Sequence, residues 1–448
     1  MMKRIQFAVF VPISWASLLV ATLLMPTGTC ALGQALPAAE AAPVSTGFAL
    51  PTALGSLQYA VSASQSLVWG YYDVSGVASS TNLTGDLAYL SGSKSHPFSL
   101  VLSGGQSWSE SGQPSYRFVN LGFSQVANVG RWNFVLSDNV SYLPGTAAAG
   151  LSGIPGVGDL GVNPVQVGVD SGQGVLTNYS NRVNNIAVGS LSRQLTGKTA
   201  LNASGSYGIT RFLDNSTGSS NSSISGLDSD SATGGAGISH VMDARNSISG
   251  NYAYSKYTYP NNVFGIVAPG FVSQTGSASY THQFTRKFSM YASAGPQWTR
   301  LDTSGSQTSL SLFANASADY AGKYSLFSVA YSRSTNSGYG SVGGALYDSV
   351  VARVNRKFAV VWNCSASASY SRSSSLPVAN VASYSFNTYV EGVQVSRAIA
   401  RSLSGYASYT LEDQSGSAAS AIDVFSGLSQ VLGFGITFSP SAMHFGRQ

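Results

Sequence analysis

Hydrophobic and polar residues alternate along most of this chain, and the alternation is clearest near the C-terminus. One face of the stretch 430–438 carries Leu432, Phe434, Ile436 and Phe438. The opposite face carries Val431, Gly433, Gly435 and Thr437. Successive side chains of a β-strand point to opposite faces, so this two-residue period predicts a strand with one apolar face.

The same period recurs throughout the chain. In 199–212, 288–300 and 358–371, apolar residues on one parity oppose Ser, Thr, Asn or Gln on the other. A slip of one residue would exchange the two faces, so the register of each strand is strongly specified. The pattern predicts eighteen strands, with cores near 57–72, 82–92, 98–109, 116–126, 132–143, 180–194, 199–212, 232–242, 247–259, 272–284, 288–300, 307–319, 323–334, 345–356, 358–371, 383–397, 402–412 and 425–438.

The predicted connections alternate in length, with eight short turns and nine longer loops. The short turns are rich in Lys and Arg, and the loops carry more of the Asp and Glu. Regular alternation of this kind is typical of a closed antiparallel transmembrane β-barrel, in which an even strand count puts both termini on the side of the short turns. We therefore expect an all-β, single closed barrel of about 18 strands, with 16–18 as the range that the pattern allows.

Composition supports a barrel in a membrane. Only 9% of the residues are charged, and the chain contains 49 Gly, 24 Tyr and 20 Phe. After residue 25 no run approaches the roughly 18 apolar residues that a membrane helix needs. A secreted β-solenoid or a set of sandwiches is the alternative, and the alternating connections argue against it.

An aromatic residue followed two positions later by a cation marks the outer end of several strands. Because residues two apart share a face, we interpret these pairs as an aromatic girdle capped by cations that reach lipopolysaccharide phosphates. The alternative is a rim that binds sugars or anions. The pairs in the clearest strands are Trp298 with Arg300, Tyr331 with Arg333, and Tyr370 with Arg372.

Two acidic residues contradict the simple pattern. Asp138 lies on the apolar parity of 132–143, and Asp348 lies on that of 345–356. Either a β-bulge or a strand end above the bilayer would explain each of them.

The N-terminus is predicted to be a targeting segment rather than part of the fold. Lys3 and Arg4 precede an apolar stretch, and small residues around Ala35 suit cleavage after that residue. An uncleaved anchor is the alternative. We divide the chain into a signal peptide (1–35), a periplasmic lead (36–55), the barrel (56–438) and a C-terminal tail (439–448). Cys364 is then the one cysteine left, and the net charge falls below +5, too small to indicate a nucleic-acid partner.

Across about residues 56–438 the chain resembles the porin-like outer-membrane β-barrels of Gram-negative bacteria. The stretch 430–438 resembles their closing strand and assembly signal. The resemblance implies a location in the cell outer membrane. It also implies contacts with lipid and lipopolysaccharide, and handling by the barrel-assembly machinery.

Chemistry beyond a barrel is not expected. The histidines belong to the turns and the tail, no cluster has metal-ligand spacing, and we predict no catalytic site, no cofactor and no metal. The longest loop, 144–179, is apolar and rich in Gly and Pro. It is either an inward-folded constriction or a mobile external loop. The constriction would be formed by residues in its centre and second half, namely Ile154, Pro155, Gly156, Asp159 and Asp170.

We expect the protein to be a passive channel for small hydrophilic solutes. The predicted lumen is lined by Ser, Thr, Asn, Gln and Gly with few charges, so strong ion selectivity is not expected. The alternative is a barrel with a closed lumen that serves envelope structure or polysaccharide export.

Overall fold

The chain folds into one closed antiparallel ring of eighteen strands. The computed structural model describes residues 55–70, 76–91, 93, 96–109, 115–143, 181–213, 228–260, 269–303, 308–338, 344–359, 361–376, 384–417, 426–441 and 443–445. The strands are β1 (Gly55–Trp69), β2 (Val77–Ser91), β3 (Phe98–Ser109), β4 (Tyr116–Val129), β5 (Trp132–Leu143), β6 (Arg182–Gln194), β7 (Thr199–Phe212), β8 (Ser229–Val241), β9 (Asn246–Thr258), β10 (Phe271–Thr285), β11 (Phe288–Leu301), β12 (Ser309–Ala321), β13 (Ser325–Asn336), β14 (Ala345–Lys357), β15 (Trp362–Ser375), β16 (Ser385–Ala400), β17 (Leu403–Ser417), β18 (Gly427–Phe438) and a short β19 (Met443–Phe445).

Closure occurs where the sequence predicts it, between the first and last long strands. β1 pairs with β18 from Val61 opposite Phe438 to Trp69 opposite Gln430, and every other strand pairs with its neighbours in chain order. All backbone groups along the ladders thus find partners without an open edge. The predicted closed barrel and its eighteen strands are confirmed.

The strands are steeply tilted. Following the register from strand to strand around the ring returns to β1 displaced by about 22 residues, which for eighteen strands corresponds to a tilt of roughly 40° from the barrel axis. A circular ring with this shear has a radius of about 18 Å measured at the backbone.

The two ends of the barrel differ. The eight connections that follow the even-numbered strands β2 to β16 have two to six residues, and the nine that follow the odd-numbered strands β1 to β17 have six or more. We call these the turn end and the loop end. The turn between β4 and β5 has only Gly130 and Arg131, and its tightness requires φ of +61° at Gly130, a value that favours glycine.

Side chains follow the predicted division into two faces. On β18, the outer face carries Leu432, Phe434, Ile436 and Phe438, which are 37–53% exposed, whereas Thr437 points inward and is 2% exposed. The same alternation holds on the other strands. Large apolar residues are exposed on the outside, and the inside carries buried serines, threonines and asparagines.

Strand ends differ from the prediction by a few residues. β2 begins at Val77 rather than near 82, because Val77–Thr81 continue the ladder with β1 although Ser79, Ser80 and Thr81 look like loop residues. β15 begins at Trp362 rather than at 358, and Phe358 belongs to the preceding turn, where its N–H bonds the carbonyl of Trp362.

The sheet does not stop at Phe438. After a break at 439–442, β19 pairs with the first residues of β1, Gly55 to Leu57, one residue out of step with the β18 ladder. The predicted tail thus extends the closing seam. The segment before residue 55, including the predicted signal peptide and most of the lead, lies outside the described residues, and its assignment stays a prediction. No helix in the described part of the chain has the length and apolar character needed to cross a membrane.

Candidate functional site: the lumen wall and its loop-end mouth

The lumen wall is formed by small polar side chains. Every strand contributes inward Ser, Thr, Asn, Gln or Gly, because these residues occupy the parity opposite the apolar one. Hydroxyl and amide groups pair across neighbouring strands, for example Asn82 Nδ2 with Ser66 Oγ at 2.7 Å and Thr388 Oγ1 with Gln414 Oε1 at 3.0 Å. Such a wall offers hydrogen bonds without a strong fixed charge.

Charged residues on the inner parity are few and scattered. In the described strands, the inward charges away from strand termini are Asp86, Asp319, Arg353 and Glu412, with Arg182 at the loop end of β6. Asp319 and Arg353 face the lumen on either side of Ser328, one strand apart from it in each direction. The arrangement does not form the opposed basic and acidic rows that would create a strong transverse field.

Aromatic side chains narrow one side of the loop-end mouth. Phe271 of β10 is 0% exposed and stacks on Tyr257 of β9, with ring centroids 4.4 Å apart and planes at 15°. Gly344, with φ of +95°, faces the Phe271 ring and Leu376 so closely that an added Cβ would lie 2.6 Å and 2.7 Å from them. β10 and β14 are four strands apart in the ring, so the wall bends sharply inward between them.

A hydrogen-bonded amide holds this bend together. Gln297 of β11 is 4% exposed, and its Nε2 donates to Ser273 Oγ of β10 at 3.0 Å. Its Oε1 accepts from Thr335 Oγ1 of β13 at 3.0 Å and from Ser311 Oγ of β12 at 3.4 Å. One side chain thus ties four consecutive strands. A buried polar network with most groups satisfied makes the wall rigid at this point.

The predicted girdle residues all lie on the outer face, near the loop end. Trp298 is 40% exposed there, and Tyr370 donates its hydroxyl hydrogen to Asn387 Oδ1 at 3.0 Å. Arg333 Nη1 contacts both carboxylate oxygens of Asp348, at 3.0 and 3.2 Å, and the Tyr331 hydroxyl donates to the same carboxylate at 3.0 Å. The interfacial role of these residues and their contact with lipopolysaccharide stay predictions.

The irregular residue Asp348 has a simple explanation. It lies directly opposite Arg333 in an unbroken ladder and is neutralised by that arginine at the loop end. No bulge occurs at this position. A second ion pair joins Arg211 of β7 to Asp230 of the neighbouring strand β8, with the two side chains 2.6 Å apart. Neither ion pair is recognisable from the spacing within one strand.

A second girdle surrounds the turn end, and the sequence reasoning missed it. Arginines in or beside the short turns lie over aromatic rings, with Arg193 4.9 Å from the Trp132 centroid and Arg397 5.2 Å from that of Trp362. Cation–π contact at this distance is favourable. The sequence does contain a pattern that predicts this girdle, because an aromatic residue is the first or second residue after several turns, as at Trp132 and Phe288.

The predicted constriction lies beyond what the structure describes. Ile154, Pro155, Gly156, Asp159 and Asp170 all fall in 144–180, outside the described residues, so their role stays a prediction. Within the described ranges, no group of three or more His, Cys, Asp or Glu side chains is arranged to hold a metal ion.

Comparison with known proteins gives structural neighbours only. No protein-family model matches the sequence, and no curated protein matches it. Among solved structures, OpdQ of Pseudomonas aeruginosa is 13% identical, with 86% of this chain and 98% of that chain covered and a TM-score of 0.41. OccK2 (OpdF) of the same organism is 12% identical over the same shares, with a TM-score of 0.43. OccK2 has also been solved in complex with glucuronate, with 12% identity, 86% and 96% of the two chains covered, and a TM-score of 0.42. Similarity at this level says nothing about the solute that this chain handles.

Proposed function

We propose that the protein is a non-enzymatic outer-membrane channel through which small hydrophilic solutes diffuse passively. The observation that carries the proposal is a closed ring of eighteen strands with an apolar outside and a small, polar inside. Rings of 16–18 strands leave an aqueous channel when their lumen is not filled. An outside of exposed Leu, Val, Ile and aromatic residues suits hydrocarbon and would be costly in water.

The two girdles support the membrane placement. Amphipathic aromatic rings favour the interface between hydrocarbon and water, and here they occur near both ends of the barrel. In this placement the turn end faces the periplasm and the loop end faces outward. Arg300 and Arg372 at the loop end then lie at the height of lipopolysaccharide phosphates, and the closing strand serves the barrel-assembly machinery.

The lumen wall favours neutral polar solutes over ions of one sign. Hydroxyl and amide groups dominate the wall, and the few inward charges are of both signs and form no row of one sign. Because the wall has no strong fixed charge of one sign, the permeability ratio for K⁺ and Cl⁻ is expected to stay near one.

Loop 144–179 is proposed to fold inward and limit the size of the solute.

Conductance of the purified protein in a planar bilayer tests the proposal. We expect stable open steps that become larger when most of loop 144–179 is deleted. Deletion of most of the polar loop 214–227 is the matched control and is expected to leave the steps unchanged. Absence of steps from the intact protein and from both deletion variants, all verified as folded, would overturn the channel and favour the structural or export-associated barrel.

A further inference from the structure

Two arginines and two aromatic rings lie together on the outer face of β14 to β16, at the turn end. Arg356 is next to the last residue of β14, and its guanidinium carbon is 5.2 Å from the Phe358 centroid. Arg397 of β16 lies directly opposite Trp362 of β15, and its guanidinium carbon is 5.2 Å from the Trp362 centroid. The N–H of Phe358 donates to the carbonyl of Trp362 at 3.1 Å, which joins the two pairs. We call these four residues the arginine–aromatic cluster.

The two arginines of the cluster lie at one level of the outer face. Arg356 is opposite Cys364, Cys364 is opposite Val395, and Arg397 is two residues closer to the turn end than Val395. Two strand spacings are about 9.6 Å and two residues are about 6.6 Å, so the two Cα atoms are about 12 Å apart. At a strand tilt of roughly 40°, the two spacings raise the position by about 6 Å toward the loop end and the two residues lower it by about 5 Å. The two displacements nearly cancel.

No acidic side chain neutralises these arginines within the described part of the chain. Both ion pairs found there lie at the loop end. Apart from the contacts with the rings, the guanidinium groups of Arg356 and Arg397 have no hydrogen-bond or ion-pair partner among the described residues. A guanidinium carries five N–H donors in a planar fork that matches the oxygens of a phosphate. The donors of the cluster are therefore available to an anion.

The surroundings of the cluster decide which anion fits. Lys357 and Arg401 add positive charge on the side of the turns, and from β4 to β17 each short connection contains a Lys or Arg or directly follows one. Toward mid-height the same face is aliphatic, with Val393 and Val395 39% and 37% exposed. An anion bound here thus adjoins positive charge on one side and an apolar wall on the other. A phospholipid matches both sides in one molecule, because its phosphate is attached to its acyl chains.

We propose that the arginine–aromatic cluster binds the phosphate of an anionic phospholipid in the membrane leaflet on the side of the turns. Arg356 and Arg397 donate to phosphate oxygens, and the acyl chains pack on the aliphatic wall above the rings of Phe358 and Trp362. Amphipathic tryptophan favours this depth, and basic side chains at a membrane surface attract anionic lipid. The inference rests on the proposed membrane placement and not on conduction.

Native mass spectrometry of the purified protein in a neutral detergent tests the site. Phosphatidylglycerol is the anionic probe, and phosphatidylcholine, which has no net charge, is expected to bind more weakly. Arg356→Gln/Arg397→Gln is expected to lower the affinity for phosphatidylglycerol about 30-fold, because each cation at a membrane surface contributes roughly fivefold. The single variants, each expected to lose about fivefold, keep the test independent of the folding of one variant. Heat-modifiable electrophoretic mobility verifies the barrel in each case.

Arg286→Gln/Lys287→Gln is the matched control, because it removes the same charge from the β10–β11 turn at the same end of the barrel. Neither of these two cations lies over a ring in the described part of the chain. We expect the control to keep the affinity of the parent for phosphatidylglycerol. Equal losses in the two double variants, or a parent that binds both lipids equally, would overturn the site.

Flotation of the protein with phospholipid vesicles separates this inference from the proposed function. A barrel that does not float with the vesicles refutes the membrane placement and the lipid site together. A barrel that floats but shows no preference for phosphatidylglycerol refutes the lipid site and leaves the membrane placement intact.

Discussion

Arginine placed on adjacent residues of one strand should have different consequences, because in the proposed membrane placement one residue faces lipid and the other faces the lumen. Ala366 and Ser367 of β15 are consecutive. Ala366 points outward between Val354 and Val393, and Ser367 is exposed on the inner face. Secondary structure and ladder position are thus matched, and the two residues differ in face and in their nearest charge, which is Arg353 opposite Ser367 and Glu391 diagonal to Ala366.

The structure sets the expected magnitude. On β15 the outward girdle residues are Tyr370 toward the loop end and Trp362 toward the turn end, each four residues from Ala366. At about 3.3 Å per residue either interface is roughly 13 Å away along the strand, too far for an arginine side chain to reach. Arg at the bilayer midplane of a barrel costs about 2–4 kcal/mol. Ala366→Arg should lose that much stability. Ser367→Arg lies directly opposite the inward Arg353, so it should lose only the smaller cost of a like-charge cross-strand pair, about 0.2–1 kcal/mol.

Reversible unfolding by denaturant from phospholipid vesicles, monitored by tryptophan fluorescence, measures the difference. A 2–4 kcal/mol gap corresponds to a roughly 30- to 900-fold change in the folding equilibrium. Ser367→Arg should also shift the reversal potential in a salt gradient toward anions, which Ala366→Arg should not do. Equal losses for the two variants, or a larger loss for Ser367→Arg, would refute the assignment of the faces and with it the membrane placement.

Three further predictions concern the mouth, the loop-end ion pair and a turn. Phe271→Ala removes a fully buried ring from its stack on Tyr257, so unfolding measurements should show a loss of about 3–5 kcal/mol, and a loss no greater than that of an exposed phenylalanine would contradict the buried cluster. Asp348→Asn leaves Arg333 without its carboxylate and should cost about 1–3 kcal/mol, whereas no change would mean that the arginine finds an equivalent partner. In the β8–β9 turn, hydrogen bonds from the Asn246 side chain, the Arg245 N–H and the Asn246 N–H lower the pKa of Asp243 below 3.8. A lowered folded-state pKa contributes stability above the unfolded value, and that stability is lost as pH falls through the folded-state pKa. Thermal unfolding temperatures of the parent and of Asp243→Asn should therefore converge as the solution is acidified, and a constant gap would refute this.

Features that are set by residues close together in the chain could be predicted from the sequence, and features that depend on a neighbouring strand could not. The faces of β18 and β15 follow from the period of two, which each strand carries in its own sequence. Strand ends were less certain. Val77–Thr81 became strand because β1 extends beside them, and a partner of this kind is not visible in the segment itself.

The sequence by itself determined the strand count, the two faces and the alternation of turns and loops, because each of these is set by residues adjacent in the chain. The tertiary structure decided which side chains meet across strands. Asn185 reaches Asp138 from 47 residues away, and Phe271 meets Gly344 because the wall bends. Such contacts depend on register, shear and curvature summed around the ring, and these are properties of the closed sheet and not of any one strand.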